Sequence, residues 1–270
     1  MASRHLAAAL AFTLAAAPAL AADPVPMLAH RAAYNLVMDS SKGGDVTAAT
    51  GTMAYELTDA CEGWATRQRL ALTLTNRDGQ DIESVADYAT FESKDGLSMR
   101  FLMRQTTDTA VTDQVEGTAS LDSVGGPGHV HYTQPEDKTL TLPAGTVFPM
   151  GHTEAIIAAA TAGKHFIALP VFDGTGERGV QDSSVAIINW GPGGTAPYPQ
   201  LANLPAGRVR IAFFDRDKAP DARERVAGSP DYEVGMKYWA NGVSDELQMD
   251  FTDFVMRGKL SEFTPLEPHC

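Results

Sequence analysis

Residues 63–75 read Gly-Trp-Ala-Thr-Arg-Gln-Arg-Leu-Ala-Leu-Thr-Leu-Thr, and this stretch decides the fold class because its polarity alternates with a period of two. Trp64 and Leu72 fall on one parity, whereas Arg67 and Arg69 fall on the other. Such alternation is typical of a strand with one buried face and one solvent-exposed face. The stretch therefore predicts a long β-strand whose apolar face belongs to the core.

The same alternation recurs along most of the chain, which predicts a mainly β fold. Met99, Phe101 and Met103 share one parity, and Arg100 falls on the other. Glycine-containing turns separate the apolar runs, and Asn241-Gly242 is the clearest hairpin signal among them. The runs predict about fourteen strands, at residues 33–39, 45–56, 63–75, 81–92, 98–105, 108–119, 129–133, 138–142, 165–172, 180–189, 207–214, 230–239, 242–251 and 254–263. A sheet of this size must curl, because each neighbouring pair of strands rotates by roughly 20–25°.

One segment, residues 152–162, departs from the strand pattern and predicts a short central helix. It is rich in alanine, follows Pro149 and is closed by Gly163, which are helix start and stop signals. A lone helix in a β chain is expected to lie across or inside a curved sheet. Three apolar side chains share the side expected to fill the interior: Ile156, Ile157 and Ala160. We expect His152 and Glu154 to serve the amino-terminal turn of the helix rather than to form a catalytic dyad, because residues two apart on a helix point in different directions.

The first 21 residues predict a secretory signal peptide, with Arg4, an apolar run at 6–20 and a cleavage signature near Ala21. Removal of this leader leaves 20 basic and 34 acidic residues in 22–270, a net charge of −14. This charge disfavours nucleic acid as a partner. No later apolar stretch approaches 18 residues, so no transmembrane helix is expected. The leader, the composition and the short loops predict one soluble exported domain over 22–270.

The chain contains two cysteines, Cys61 and Cys270, which lie 209 positions apart. Thiols of exported proteins meet an oxidising compartment, which favours a disulfide; two unpaired buried thiols are the alternative. Closing a loop of this length stabilises the folded chain by at most roughly 5 kcal/mol in the chain-entropy treatment.

Motifs that carry chemistry are weak in this sequence. His129 and His131 flank one residue of a predicted strand, a spacing that suits a metal, but hydrogen-bonded histidines explain the pair equally well and no third ligand is evident. The Gly-x-Ser-x-Gly motif of serine hydrolases is absent, and residues 191–194 lack the Lys-Ser/Thr ending of a phosphate-binding loop. Residues 173–177 read as a hairpin turn rather than a calcium loop. We therefore expect no catalytic residues, no metal and no cofactor.

Several segments together resemble one family. They are His30-Arg31-Ala32-Ala33-Tyr34, Cys61-Glu62-Gly63-Trp64, Leu142-Pro143-Ala144-Gly145-Thr146, Phe172-Asp173-Gly174, Tyr238-Trp239-Ala240-Asn241-Gly242 and the final Cys270. Their order and spacing resemble the EipB family of alphaproteobacterial periplasmic cell-envelope integrity proteins. Trp64 is a departure, since the family more often has tyrosine there.

The resemblance implies a β-spiral, a strongly bent antiparallel sheet that overlaps itself around a short helix and is similar to the lipoprotein carriers LolA and LolB. It also implies a disulfide between Cys61 and Cys270, a role in envelope integrity under stress, a periplasmic protein partner such as a tetratricopeptide-repeat protein, and no enzymatic activity. We expect the carboxyl-terminal strand to be the free end of the spiral, held in place by Cys270.

The leading interpretation is thus a non-catalytic periplasmic protein that acts through protein contacts. A carrier of a lipid or acylated ligand on the concave side of the sheet is the alternative, in which Met99 and Met103 line an apolar cavity instead of the core. An outer-membrane barrel and a hydrolase of cell-wall glycans are further possibilities that the pattern favours less.

Overall fold

The computed structural model describes residues 25–218, 228–251 and 253–268, and it contains one fourteen-stranded antiparallel sheet with one α-helix. The first eight strands are β1 His30–Ser41, β2 Val46–Asp59, β3 Gly63–Asn76, β4 Asp81–Ser93, β5 Ser98–Thr107, β6 Ala110–Leu121, β7 Gly128–Gln134 and β8 Lys138–Leu142. The helix α1, Pro149–Thr161, follows them. The remaining strands are β9 Phe166–Val171, β10 Gln181–Gly191, β11 Ala206–Asp215, β12 Tyr232–Trp239, β13 Ser244–Asp250 and β14 Phe254–Pro265. All fourteen predicted strands are confirmed, with ends shifted by a few residues.

The two terminal strands of the sequence lie in the middle of the sheet. The spatial order is β8-β7-β6-β5-β4-β3-β2-β1-β14-β13-β12-β11-β10-β9, so β1 pairs with β14 and the open edges are β8 and β9. The expectation that the carboxyl-terminal strand is the free end is therefore wrong. β14 is hydrogen-bonded to β1 on one side and to β13 on the other, whereas β8 and β9, the strands that precede and follow the helix, are each paired on one side only.

Strand faces follow the predicted alternation. Trp64 and Leu72 are buried, whereas Arg67 and Arg69 on the other face of β3 are exposed. Gly242 in the β12–β13 turn has a φ of +83°, whereas Asn241 has no positive φ. The backbone N–H of Trp239 donates to the carbonyl oxygen of Val243, so the predicted hairpin is closed by a three-residue loop with glycine in the left-handed position. Local polarity and turn chemistry thus act together to set the register.

The sheet curls but does not close into a barrel. Its two open edges approach each other near α1, where Val147 forms an isolated parallel bridge with Val171 at the end of β9. The helix lies against the inner face, with Ile156 and Ala160 packed among Val185 and Ile211 of β10 and β11. Ile157 is also buried. This confirms the predicted bent sheet around a single helix.

A second part of the core lies beneath β5–β8. Phe172 packs edge-on against Phe101, with ring centroids 5.3 Å apart. The next turn passes so close that a Cβ on Gly174 would lie 2.5 Å from Cγ of Phe101, and the φ of Gly174 is +71°. Only glycine fits this position without strain. Met99 and Met103 belong to this cluster and are buried, so they are core residues.

Candidate functional site

An internal cavity of about 310 Å³ lies between the two arms of the sheet and is the candidate site. Strands β1–β4 form one wall, β12 and β13 form the other, and the amino-terminal turn of α1 closes one end. The lining residues are Met27, Tyr34, Met53, Tyr55, Thr66, Gln68, Tyr88, Thr90, Pro149, Met150, Thr153, Val234, Met236, Tyr238, Gly242, Ser244, Leu247 and Met249. The cavity is therefore mainly apolar, with hydroxyl and amide groups on its walls.

Five of the ten methionines of the chain line this cavity. They are Met27, Met53, Met150, Met236 and Met249. Unbranched thioether side chains adapt to irregular apolar ligands. The carrier alternative placed Met99 and Met103 in this role, but both lie in the filled cluster beneath β5–β8, in agreement with the interpretation that they are core residues. Strand parity points the methionines that lie in strands inward, but it does not distinguish a filled interior from an open one.

Four tyrosines supply most of the aromatic surface of the cavity. The hydroxyl of Tyr34 donates to the carbonyl oxygen of Ser244 at 2.9 Å, and that of Tyr88 donates to the carbonyl oxygen of Asp173. Burial raises the pKa of Tyr55 and of Tyr238 above the usual range, so both phenols are neutral at physiological pH. The site thus offers neutral hydrogen-bonding groups and no charge.

Gln68 is a polar side chain of the wall whose hydrogen-bonding capacity is unused within the described part of the chain. It lies on β3 between Tyr55 of β2 and Tyr88 of β4 in one cross-strand row. No hydrogen bond joins its amide to another described residue. An amide that both donates and accepts can orient a polar group of a bound molecule.

A buried carboxyl joins the wall to the helix. Glu92 of β4 is 2% exposed, and its Oε2 accepts a hydrogen bond of 2.9 Å from the backbone N–H of Met150 in the first turn of α1. Its Oε1 has no partner among the described residues. Burial, with a smaller contribution from the charge of the neighbouring Glu154, raises the pKa of Glu92 to about 8, although the hydrogen bond from Met150 acts in the opposite direction. Nothing in the local sequence signals this contact, because the two residues are 58 positions apart.

The expectation that His152 and Glu154 serve the first turn of the helix is wrong. The helix begins at Pro149, so its first turn contains no acidic residue, and Phe148 at the N-cap makes no side-chain capping bond. Glu154 lies in the second turn, where burial raises its pKa. Glu92 of β4 accepts the hydrogen bond from the first turn of the helix instead.

His152 instead contacts a serine in a geometry that resembles a catalytic pair. Its Nε2 lies 2.9 Å from Oγ of Ser183, and that hydroxyl donates to the carbonyl oxygen of Leu169 at 2.8 Å. Since the single hydroxyl proton goes to Leu169, the imidazole Nε2–H is the donor to Ser183. This direction is opposite to that of a base that activates a serine nucleophile. Both side chains are buried, so the pair links α1 to β10 structurally.

His129 and His131 do not come together with a third ligand. His129 lies 3.3 Å from the hydroxyl of Ser120, and His131 lies 3.2 Å from a carboxylate oxygen of Asp137. Across residues 25–218, 228–251 and 253–268, no group of three His, Cys, Asp or Glu side chains is arranged to hold a metal ion. Hydrogen bonding at the surface accounts for this pair.

The two cysteines are placed unequally. Cys61 lies in the β2–β3 turn and is not a free thiol, whereas Cys270 lies outside the described residues, as does the predicted signal peptide. The disulfide therefore stays a prediction. Within the described segments, no helix combines the length and apolar character that crossing a membrane requires.

The chain is similar over most of its length to characterised proteins of one family. The cell envelope integrity protein EipB of Brucella abortus (strain 2308) is 33% identical over 257 residues, which cover 91% of this chain and 86% of that protein. Its name refers to envelope integrity and to no catalysed reaction. The crystal structure of a β-barrel-like protein of unknown function from Brucella abortus matches with a TM-score of 0.79 at 28% identity, covering 90% of this chain and 100% of that one. A model of the EipB-like family matches residues 21–267, and the chain therefore belongs to the EipB-like family.

Proposed function

We propose that this chain is a non-catalytic periplasmic protein that supports cell-envelope integrity through contacts with other proteins. The observation that carries the proposal is the 33% identity to a protein named for envelope integrity, over 91% of this chain. The absence of an activated nucleophile at His152 and Ser183 agrees with a non-catalytic role. The acidic surface, with a net charge of −14 after the leader, agrees with a soluble exported protein.

Complementation tests this function directly. A bacterium that lacks its EipB-like protein is expected to be sensitive to detergent and to cell-wall antibiotics, and the full chain is expected to restore growth. A matched form that starts at Ala22, without residues 1–21, should not restore growth because it stays in the cytosol. Equal rescue by both forms would overturn the proposal. Turnover of a cell-wall or lipid substrate by the purified protein would overturn it as well.

We extend the proposal to a disulfide between Cys61 and Cys270, which fastens the carboxyl terminus to the β2–β3 turn. Support comes from the last described residues. The backbone N–H of Leu266 donates to the carbonyl oxygen of Ala29, and its side chain packs with Leu57 and Trp64, beside the turn that holds Cys61. Four residues, Glu267 to Cys270, follow Leu266 in the sequence. Intact-mass measurement before and after alkylation under denaturing, non-reducing conditions tests the pairing, since a disulfide leaves no thiol to alkylate.

A second candidate function is the carriage of a lipid or acylated ligand, which the methionine-lined cavity favours. Its volume of about 310 Å³ suits part of an acyl chain better than a whole lipid. Val234→Trp is expected to fill the cavity and abolish binding of a fluorescent fatty acid. Met99→Leu, a near-isosteric change in the filled cluster, should leave binding unchanged. Failure of the purified protein to bind the fatty acid, or equal binding by the two variants, excludes this function.

A further inference from the structure

The outer face of the sheet carries a groove that lies directly opposite the internal cavity. Two adjoining depressions of about 640 and 440 Å³ form it, and they share Arg67, Ala89 and Leu102. The groove crosses the strands from β14 to β6. Since neighbouring strands lie about 4.8 Å apart, it spans roughly 29 Å. We call it the arginine groove, and its outward-facing residues are Arg31, Ala33, Ala54, Glu56, Arg67, Arg69, Asp87, Ala89, Arg100, Leu102, Arg104, Glu116, Glu262 and Thr264.

Small side chains make the floor, and five arginines and four carboxylates make the walls. Ala33 of β1 lies opposite Ala54 of β2, and Ala89 of β4 lies opposite Leu102 of β5, which is 41% exposed. All the basic residues of the groove are arginines, with no lysine among them. Arginine is enriched and lysine depleted at protein–protein interfaces, because the planar guanidinium binds carboxylates in two-pronged fashion and is less strongly hydrated.

Two of these arginines lack the partners that every other described arginine has. Arg31 pairs with Glu56, and Arg69 contacts both carboxylate oxygens of Asp87 at 2.8 Å. Seven further arginines bind a carboxylate, backbone carbonyl oxygens or an aromatic ring. They are Arg77, Arg100, Arg178, Arg208, Arg210, Arg216 and Arg257. Arg67 and Arg104 have no ion pair, hydrogen bond or ring contact within the described residues. The carboxylates directly opposite them, Glu56 for Arg67 and Asp87 for Arg104, are ion-paired with Arg31 and Arg69 instead.

The spacing of the two unpaired guanidiniums defines what they can recognise. Arg67 on β3 faces Ala89 of β4, and Arg104 on β5 faces Asp87, two residues away on that same strand. Two strand spacings and two residues separate their Cβ atoms by about 12 Å, which matches carboxylates four residues apart on an extended chain.

We propose that the arginine groove is the docking site for an acidic segment of a partner protein. At least two carboxylates of that segment bind Arg67 and Arg104, and its small apolar side chains pack on the alanine floor. This inference rests on the proposed function, for which it supplies the contact surface.

Site-specific photo-crosslinking in the periplasm tests the proposal with the full chain. A photo-reactive amino acid placed at position 102 should capture a protein, and mass spectrometry of the crosslinked peptide should show two or more acidic residues within five positions. The same amino acid at position 188, where Ile188 of β10 is 45% exposed on another part of the sheet, should not capture that segment.

Paired variants separate recognition from net charge. Arg67→Ala with Arg104→Ala should reduce the crosslink yield at position 102 at least about tenfold, while Arg208→Ala with Arg210→Ala, which removes the same charge from ion-paired arginines of β11, should not. A crosslink to lipid, to a second copy of this chain or to a segment without acidic residues overturns the inference. The absence of any crosslink overturns it as well, and so does an equal crosslink yield in the two double variants. Rescue of growth by the wild-type chain with no such crosslink rejects the groove while keeping the proposed function.

Discussion

The buried carboxyl of Glu92 stays protonated in the folded chain to a higher pH than in the unfolded chain. We therefore expect the free energy of unfolding to fall as pH rises from 5 to 8. The pKa of Glu92 is raised from 4.5 to about 8 by burial, so the folded chain keeps a proton that the unfolded chain has lost across this range. Stability therefore decreases with pH wherever the folded state binds more protons. The contribution is fully present below pH 4.5 and is lost as pH rises through 8.

The magnitude follows from the size of the shift. Each pH unit between the two pKa values changes the free energy of unfolding by about 1.4 kcal/mol, so the loss between pH 5 and pH 8 is roughly 3 kcal/mol. Glu92→Gln removes the titration but keeps a carbonyl oxygen that accepts the N–H of Met150. We expect the variant to match the wild type at pH 5 and to exceed its stability by roughly 3 kcal/mol at pH 8.

Urea unfolding followed by tryptophan fluorescence measures this difference at half-unit pH intervals. Comparing each variant with the wild type at the same pH cancels the contributions of titrating groups that do not interact with Glu92. Glu262→Gln, an exposed carboxyl on β14, is the control and should show no difference at any pH. A difference between Glu92→Gln and the wild type that stays constant from pH 5 to 8 would refute the reasoning.

Three further predictions concern other parts of the molecule. Burial lowers the pKa of His152 to about 4. Neutral His152 therefore contributes stability above pH 6.5, and the free energy of unfolding should decrease by roughly 3 kcal/mol as pH falls toward 4. His152→Gln should remove this decrease in acid unfolding experiments. Reduction of the proposed disulfide, or Cys61→Ser, should lower the free energy of unfolding by at most roughly 5 kcal/mol and expose the terminus to protease; identical melting of oxidised and reduced protein would contradict the pairing. Gly174→Ala should destabilise the protein by about 2–4 kcal/mol, because the new Cβ would lie 2.5 Å from a ring carbon of Phe101. The control Gly79→Ala, at a φ of +75° with open space around it, should destabilise by about 1 kcal/mol. Equal shifts in melting temperature for the two variants would contradict this.

Strand positions and faces were accessible from the sequence because they depend on local chemistry. Arg67 and Leu72 point to opposite faces of β3 whatever the strand pairs with, since side chains alternate along any strand. The helix was also predicted, although its start at Pro149 was placed three residues late. The motifs that identified the family extended these expectations to the bent sheet.

The candidate site was predicted less well because each of its features depends on distant residues. Met99 and Met236 both point inward, yet one is packed in a filled cluster and the other lines the cavity. His152 and Glu154 were expected to serve the amino-terminal turn of the helix, whereas Glu92 of β4 accepts the hydrogen bond from the N–H of Met150 there. Short-range patterns contain no information on which inward side chains face protein atoms and which face open space.

By itself, the sequence determined fourteen strands, their faces, their turns and one helix, because alternation and turn chemistry act between residues close in the chain. Only the tertiary structure decided that β1 pairs with β14, that β8 and β9 are the open edges, and that Glu92 is buried against the helix. These features arise when strands far apart in sequence pack together. Curvature of the whole sheet then sets which side chains enclose the cavity and which form the arginine groove.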